Sequence, residues 1–312
     1  MTLIVAAATS LLASAVIGLA APLIGRRLHP AVATRAVSLA SIGATLMTGF
    51  VVSVLSFDYL AQASPVATMG RWSQPLLLHR DAVPLWLGLL ACMATVAAVT
   101  RGGRRAVIIA CDLVAAAAAC RSETQTAGGL RIVDDSYPVA YAVPGIRRGL
   151  IVVTSALLTA LDRDERRVLL AHEASHLRHR HHLYIALAEL SAAANPLVSS
   201  TTTFVRAAVE RWADEDAATI TGDRRAAARA IARAALVAAR TPAKDVAPRG
   251  LAVAQGPVSE RVAALLHSPP QPRRWRLAPI VAGLLIAAAS AFVVAHTTEV
   301  RFEQAHLLYV RQ

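Results

Sequence analysis

Long runs of apolar residues, separated by short charged stretches, dominate this chain. The four longest runs contain no charged residue, and each is long enough for a helix to cross roughly 30 Å of hydrocarbon. Arg26 and Arg27 follow the first run directly and no basic segment precedes it, which favours a retained anchor over a signal peptide. The pattern therefore predicts four membrane-spanning helices, at residues 2–25, 36–57, 82–100 and 277–295.

A further apolar segment, residues 106–120, follows the charged stretch at 101–105 and leaves two interpretations open. It can be another span, joined to the third by a hairpin, or a helix that lies on or under the membrane surface. The segment has 15 residues and contains Asp112. Both features favour the surface helix, because a span needs about 20 apolar residues and a buried carboxylate is costly.

Composition and charge also indicate a membrane protein. Of 312 residues, 55% are hydrophobic, and the formal net charge is +12. Much of the positive charge lies beside the apolar runs, where topology and contact with anionic lipid explain it, so direct nucleic acid binding is not predicted. The positive-inside rule places both termini outside the plasma membrane and residues 101–276 in the cytoplasm. The three cysteines cannot form a disulfide framework and are expected to be reduced.

The pattern changes after Cys120, where short β-like segments replace the long apolar runs. Residues 131–133, 138–143 and 150–153 are predicted strands, with a turn at 134–136 between the first two. Pro138 is best tolerated on an edge strand, and an exposed edge can pair with an extended peptide. The candidates for such a substrate-binding edge are Val139, Ala140, Tyr141 and Ala142; a hairpin that only shields the core is an equally good interpretation.

The motif HExxH at 172–176 carries the strongest chemical signal in the sequence. Asp162 and Glu165 have the spacing of a capping box, so a helix is predicted from Asp162 onward. On that helix His172 and His176 lie one turn apart on one face, where both imidazoles can bind a single zinc ion. Glu173, between them, is then placed to take a proton from the water that zinc activates.

A catalytic zinc site needs a third protein ligand and one open position. Glu210 is the candidate, on a second predicted helix 34 residues after His176. Asp214 follows one turn later on the same face, where it can accept a hydrogen bond from a ligand histidine and fix its ring. The competing interpretation of Glu210 is a surface salt bridge with Arg206. The sequence thus predicts one zinc ion per chain.

Three further histidines, His179, His181 and His182, form a basic cluster with two arginines. They could bind a second metal, but a juxtamembrane anchor is favoured, because basic clusters next to apolar segments bind anionic headgroups.

The predicted fold class is mainly α, a polytopic helical membrane protein with a cytoplasmic α+β metallopeptidase domain of the gluzincin type. Residues 1–105 form an N-terminal bundle of three transmembrane helices. Residues 106–272 form the cytoplasmic zinc metallopeptidase domain, and residues 273–312 the fourth span with a short extracytoplasmic tail.

The order of these motifs resembles the BlaR/MecR family of integral-membrane zinc metallopeptidases, over nearly the whole chain. The resemblance implies zinc ligands at His172, His176 and Glu210, with Glu173 as the catalytic base. It also implies a cytoplasmic protein substrate, a winged-helix repressor of the BlaI/MecI type, that is cleaved in antibiotic-response signalling. The segments that carry it are residues 138–142, 151–154, 169–176, 195–197, 210–214 and 259–262.

The sequence departs from that family after the fourth span. Members that sense β-lactams carry a large extracellular penicillin-binding domain there, whereas 17 residues follow residue 295 here. Because 17 residues are too few for a folded sensor, the inducing signal is expected to come from another source.

Two other functions stay open. A membrane quality-control protease of the HtpX or prenyl-protein-processing type shares HExxH and a downstream glutamate, but arranges its spans differently around the motif. A non-catalytic membrane sensor or scaffold needs no base between its metal ligands, so the presence of Glu173 argues against it. The sequence does not determine the cleavage site or the oligomeric state, and a homo-oligomer is one possibility.

Overall fold

A computed structural model describes residues 2–79, 82–122, 129–145, 149–240, 258–267 and 274–311. These residues form a mainly helical protein with one small sheet. The helices are α1 (Thr2–Gly25), α2 (Pro30–Ala61), α3 (Ser64–Gly70), α4 (Gln74–His79), α5 (Leu85–Ser122), α6 (Ser155–Ala160), α7 (Arg163–Arg178), α8 (His181–Ala194), α9 (Ser200–Thr221), α10 (Arg224–Ala239), α11 (Val258–Leu266) and α12 (Ala278–Val310). The strands are β1 (Leu130–Val133), β2 (Ala140–Val143) and β3 (Leu150–Thr154).

Among the described residues four helices, α1, α2, α5 and α12, are long and apolar enough to cross a membrane, the same number as the sequence predicts. Leu19, Val99 and Phe292 are among their outward-facing side chains, each about 70% exposed. Such a surface is stable against lipid tails and not against water. The four helices therefore associate this protein with a membrane.

The third span does not end at the charged stretch 101–105, as both interpretations of residues 106–120 required. Helix α5 continues without interruption to Ser122, so the predicted domain boundary at residue 105 falls inside a helix. Gly102 packs beside Ala194 of α8, whereas a Cβ atom at Gly103 would meet nothing within 4 Å. The extension of α5 then packs Ala116 against the sheet.

Helices α8 and α9 form a hairpin that packs between the apolar spans. At its tip, the Asn195 side-chain amide donates to Ser14 of α1 over 2.7 Å, and the Ser200 hydroxyl donates to the Gly18 carbonyl over 2.6 Å. Further along, Ser41 of α2 donates to Thr201 over 2.8 Å. These buried bonds satisfy polar groups that would otherwise be costly to hold inside an apolar bundle.

Gly18 gives a direct test of this packing. A Cβ atom at Gly18 would lie 2.0 Å from the Leu197 carbonyl oxygen, whereas a Cβ atom at Gly49 of α2 would meet nothing within 4 Å. We expect Gly18→Ala to destabilise the protein by about 1–3 kcal/mol through overpacking, while Gly49→Ala is neutral or stabilising. Thermal unfolding in detergent measures both; equal midpoints for the two variants would contradict the packing.

The sheet has the order β1-β3-β2, with β1 parallel and β2 antiparallel to β3. The first two strands are therefore not neighbours, and the hairpin interpretation of residues 131–143 is wrong. The sequence could not show this, because β3 enters between β1 and β2 from later in the chain. The expectation that β2 is an edge strand is confirmed.

The far end of the bundle is formed by α3, α4 and the end of α12. The expected extracytoplasmic tail continues the fourth helix to Val310. Arg301 of this extension forms a buried ion pair with Asp58 of α2 and donates to the Leu77 carbonyl. Because each buried charge has its partner, the extension is held against the bundle.

Candidate metal centre

Helix α7 presents the HExxH motif on its buried face. The predicted capping box is confirmed: the Asp162 carboxylate accepts from the backbone N–H groups of Asp164 and Glu165, and the Glu165 carboxylate accepts from the N–H of Asp162. Such a cap contributes about 1 kcal/mol to the helix. His172 and His176 follow on one face, and their Nε2 atoms lie 3.2 Å apart.

Helix α9 brings Glu210 to these two nitrogens. Its Oε2 lies 3.5 Å from His172 Nε2, and its Oε1 lies 3.6 Å from His176 Nε2. Ligand atoms around a tetrahedral zinc ion, with bonds of about 2.0–2.1 Å, are separated by roughly 3.3–3.4 Å. The donor set and its spacing therefore fit zinc, and among the described residues these three form the one such cluster.

The protonation states also suit a cation site. Burial would raise the pKa of Glu210, but contact with His172 and His176 outweighs it and lowers the pKa to about 2. Burial lowers the pKa of His176 to about 4, which leaves its imidazole neutral. Burial also opposes charge on His172, but Asp214 and Glu210 raise its pKa to about 10. Binding of a metal at His172 therefore releases a proton.

Asp214 lies where the sequence predicts it, behind the first ligand. Its Oδ1 is 3.0 Å from His172 Nδ1, which leaves Nε2 facing Glu210. Arg261 of α11 clamps the same carboxylate with bonds of 2.7 and 2.6 Å and also lies 3.2 Å from Glu210. No role for Arg261 is predicted from the sequence, because Arg261 follows Glu210 by 51 residues and no spacing rule connects them.

Arg261 is 7% and Asp214 2% exposed, so this is a buried ion pair. We expect Arg261→Met to destabilise the fold by about 3–5 kcal/mol, because it leaves a buried carboxylate without its partner. Arg225→Met, at an exposed arginine of α10, is the matched control. An unchanged unfolding midpoint for Arg261→Met would contradict a structural role for the pair.

Glu173 lies beside the three ligands and is not one of them. Burial raises its pKa to about 7, against the lowering effect of His172, and the backbone N–H of Ala142 donates to its carboxylate. A base with a pKa near neutrality is well matched to proton transfer at physiological pH. Glu173 therefore has both the position and the basicity of a general base.

His179 and His181 do not belong to a juxtamembrane anchor, whereas Arg178 and Arg180 of the same cluster are exposed and their contact with lipid stays a prediction. His181 is 1% exposed, and its Nδ1 lies 3.0 Å from Nδ1 of His176. His179 pairs instead with Asp216 over 2.8 Å. A buried ring in contact with a metal ligand cannot bind lipid headgroups, so His181 belongs to the site.

Arg206 does not pair with Glu210, contrary to the competing interpretation of that glutamate. It forms an ion pair with Glu189 of α8, which also binds Arg105 of α5. Glu189 thus connects the extension of the third span to the helix that carries Glu210.

A cleft of about 290 Å³ opens onto the ligands and Glu173. One wall is β2 with the residue before it, so all four predicted substrate-strand residues, Val139, Ala140, Tyr141 and Ala142, line it. The opposite wall is the apolar face of α10, with Ile231, Ala234 and Ala238. The site therefore combines three metal donors, a base and an apolar cleft bordered by a strand edge.

This arrangement defines a membrane-associated metallopeptidase. In agreement with it, the model of peptidase family M48 matches residues 108–280, more than half of the 312 residues. The chain belongs to peptidase family M48, whose members are zinc metallopeptidases. The match includes the sheet, α7, α9 and α11. No curated protein and no solved structure matched the chain. The closer resemblance to BlaR/MecR proteins stays a prediction.

Proposed function

We propose that this chain is an integral-membrane zinc endopeptidase that hydrolyses a peptide bond in a cytoplasmic protein. The observation that carries the proposal is the meeting of three ligand atoms from two helices, with the Glu173 carboxylate left free beside them. A site that only bound metal would not need this fourth group.

The residues of the chain divide the reaction between them. Zinc held by His172, His176 and Glu210 would polarise the scissile carbonyl and lower the pKa of water towards about 7. Glu173 takes a proton from the attacking water as the water oxygen bonds to the carbonyl carbon. As the C–N bond breaks, Glu173 returns that proton to the leaving nitrogen.

The open edge of β2 can bind the substrate as an additional strand. The Val139 N–H donates to the Thr154 hydroxyl, and the Val139 carbonyl accepts from the Thr154 backbone N–H, each over 3.0 Å. Because hydrogen-bonding sides alternate along an antiparallel strand, Ala140 and Ala142 turn their backbone groups to the open side. An extended peptide in the cleft would add to the sheet through Ala140 and lie over Glu173.

The resemblance to BlaR/MecR proteins favours a winged-helix repressor as the substrate, cleaved in a signalling response. The position of the site favours a second candidate, an HtpX-like quality-control function on membrane proteins. Phe204 of α9 packs against Gly25, the last residue of α1, and Arg35 near the start of α2 lies 4.7 Å above the Trp212 ring. Along α9, Glu210 lies between Phe204 and Trp212. The metal-binding residues therefore lie close to the end of α1 and the start of α2.

Comparison of protein amino termini in cells that carry the wild type or Glu173→Gln separates the candidates. A new terminus inside a small winged-helix repressor, present with the wild type alone, supports the signalling function. New termini confined to membrane proteins support quality control. Identical termini in both cells, at equal expression, contradict an active endopeptidase.

The proposed sidedness has its own test. Reporter fusions at residues 125 and 310 should give a cytoplasmic signal and an extracytoplasmic signal respectively. A cytoplasmic reporter at both positions would contradict an odd number of crossings between them, and an extracytoplasmic reporter at 125 would contradict a cytoplasmic substrate.

A further inference from the structure

The two histidine ligands need different support from the protein. A neutral imidazole has one bare nitrogen and one protonated nitrogen. A histidine that binds a metal through Nε2 therefore carries its proton on Nδ1, and an acceptor there fixes both the tautomer and the orientation of the ring. Asp214 occupies that place beside His172, with its Oδ1 3.0 Å from Nδ1.

His176 has the corresponding contact with His181. Their Nδ1 atoms lie 3.0 Å apart, the same separation as on the other ligand. When His176 carries its proton on Nδ1, the Nδ1 of His181 must be bare to accept the hydrogen bond. The His181 proton then lies on Nε2, which is buried and has no hydrogen-bond partner among the described residues. One imidazole then supports the other without a net charge, whereas Asp214 supports His172 with a carboxylate.

The chain holds His181 in this position by an uncommon backbone turn. Helix α7 ends at Arg178, and Arg180 adopts φ 52°, a left-handed conformation that is uncommon for a residue other than glycine. The turn separates α7 from α8 and leaves His181, the first residue of α8, with its Nδ1 3.0 Å from Nδ1 of His176. The Trp212 ring lies 4.7 Å from the His181 ring and restricts its rotation.

A second metal site does not explain this geometry. His179 Nε2 already pairs with Asp216 over 2.8 Å. Within the described residues, the group of side chains with metal-ligand spacing is His172, His176 and Glu210, and it does not include the basic cluster.

We propose that His181 is a positioning residue of the zinc site: its Nδ1 accepts a hydrogen bond from the Nδ1–H of His176 and so keeps His176 Nε2 bare and directed at the metal. The inference rests on the proposed zinc function. It assigns to a residue five positions after the motif the same task that Asp214 performs for the first ligand.

The test measures zinc affinity of the purified full-length protein by competition with a chelator. His181→Phe keeps an aromatic ring against Trp212 but removes the acceptor. His181→Asn restores an acceptor oxygen without the ring. His182→Phe makes the same substitution at the neighbouring position and is the control. We expect His181→Phe to weaken zinc binding about 10–100-fold, the usual cost of losing such a partner, with substantial recovery in His181→Asn and no change in His182→Phe.

The remaining outcomes are also decisive. Wild-type affinity in His181→Phe would overturn the role of His181. Equal loss in His181→Phe and His181→Asn would show that an acceptor at this position does not restore zinc binding, and it would also overturn the role of His181. A wild-type chain that binds no zinc would contradict the proposed function instead, because the test needs no substrate.

Discussion

Replacing Glu210 with alanine should weaken zinc binding by more than about 100-fold and abolish peptide hydrolysis. The loss should exceed the 10–100-fold that removal of an outer partner costs, because Glu210 supplies a ligand atom directly. The two imidazoles that remain are both on α7, so α9 would no longer contribute a ligand atom. Zinc content after dialysis and cleavage of a peptide library measure the two effects.

Two further variants sharpen this prediction. Glu210→Gln keeps the volume of the side chain and one oxygen atom but removes the negative charge. Because the pKa of Glu210 is lowered to about 2, its carboxylate is ionised at neutral pH, and we expect the neutral amide to bind zinc more weakly. Glu260→Ala removes an exposed carboxylate of α11 and should behave as the wild type. Full zinc content in Glu210→Ala would show that the third ligand is another residue.

The Glu173→Gln variant should bind zinc normally and lose catalysis. A positioned general base contributes about 10²–10⁴-fold to a rate, so a fall in kcat of this size is expected. The glutamine is close in shape, and its side-chain oxygen can still accept from the backbone N–H of Ala142. Hydrolysis of the same peptide library by proteins with equal zinc content measures the effect.

Normal zinc binding together with lost catalysis is expected because Glu173 lies beside the metal ligands and is not one of them. Loss of metal in Glu173→Gln would make Glu173 a ligand and not a base. A cleavage rate equal to that of the wild type would remove Glu173 from the reaction altogether. The control is again Glu260→Ala, whose carboxylate lies outside the cleft.

The parts of the structure that sequence predicts well are those encoded by short-range spacing. The spans follow from uninterrupted apolar runs, and the start of α7 follows from Asp162 and Glu165 three residues apart. The pair His172 and His176 meets because residues four apart share a helical face. Glu210 and Asp214 required one further step, the recognition of a second motif on another helix.

The parts that sequence did not predict depend on contacts between distant segments. Residues 101–105 look like a break, yet α5 continues because α8 packs against it and Glu189 pairs with Arg105. The order of the strands depends on where β3 inserts. Arg261 and His181 became part of the site through tertiary packing, and neither lies at a spacing that a motif records.

Zinc titration of the metal-free wild-type protein tests whether zinc bound by helices α7 and α9 enables this chain to hydrolyse peptides. Cleavage of the peptide library is measured after each addition of zinc. Without metal we expect no cleavage, and with added zinc we expect the cleavage rate to rise until one zinc ion is bound per chain. Cleavage by the metal-free protein, or a fully zinc-loaded protein that cleaves no faster than Glu173→Gln, would contradict this expectation.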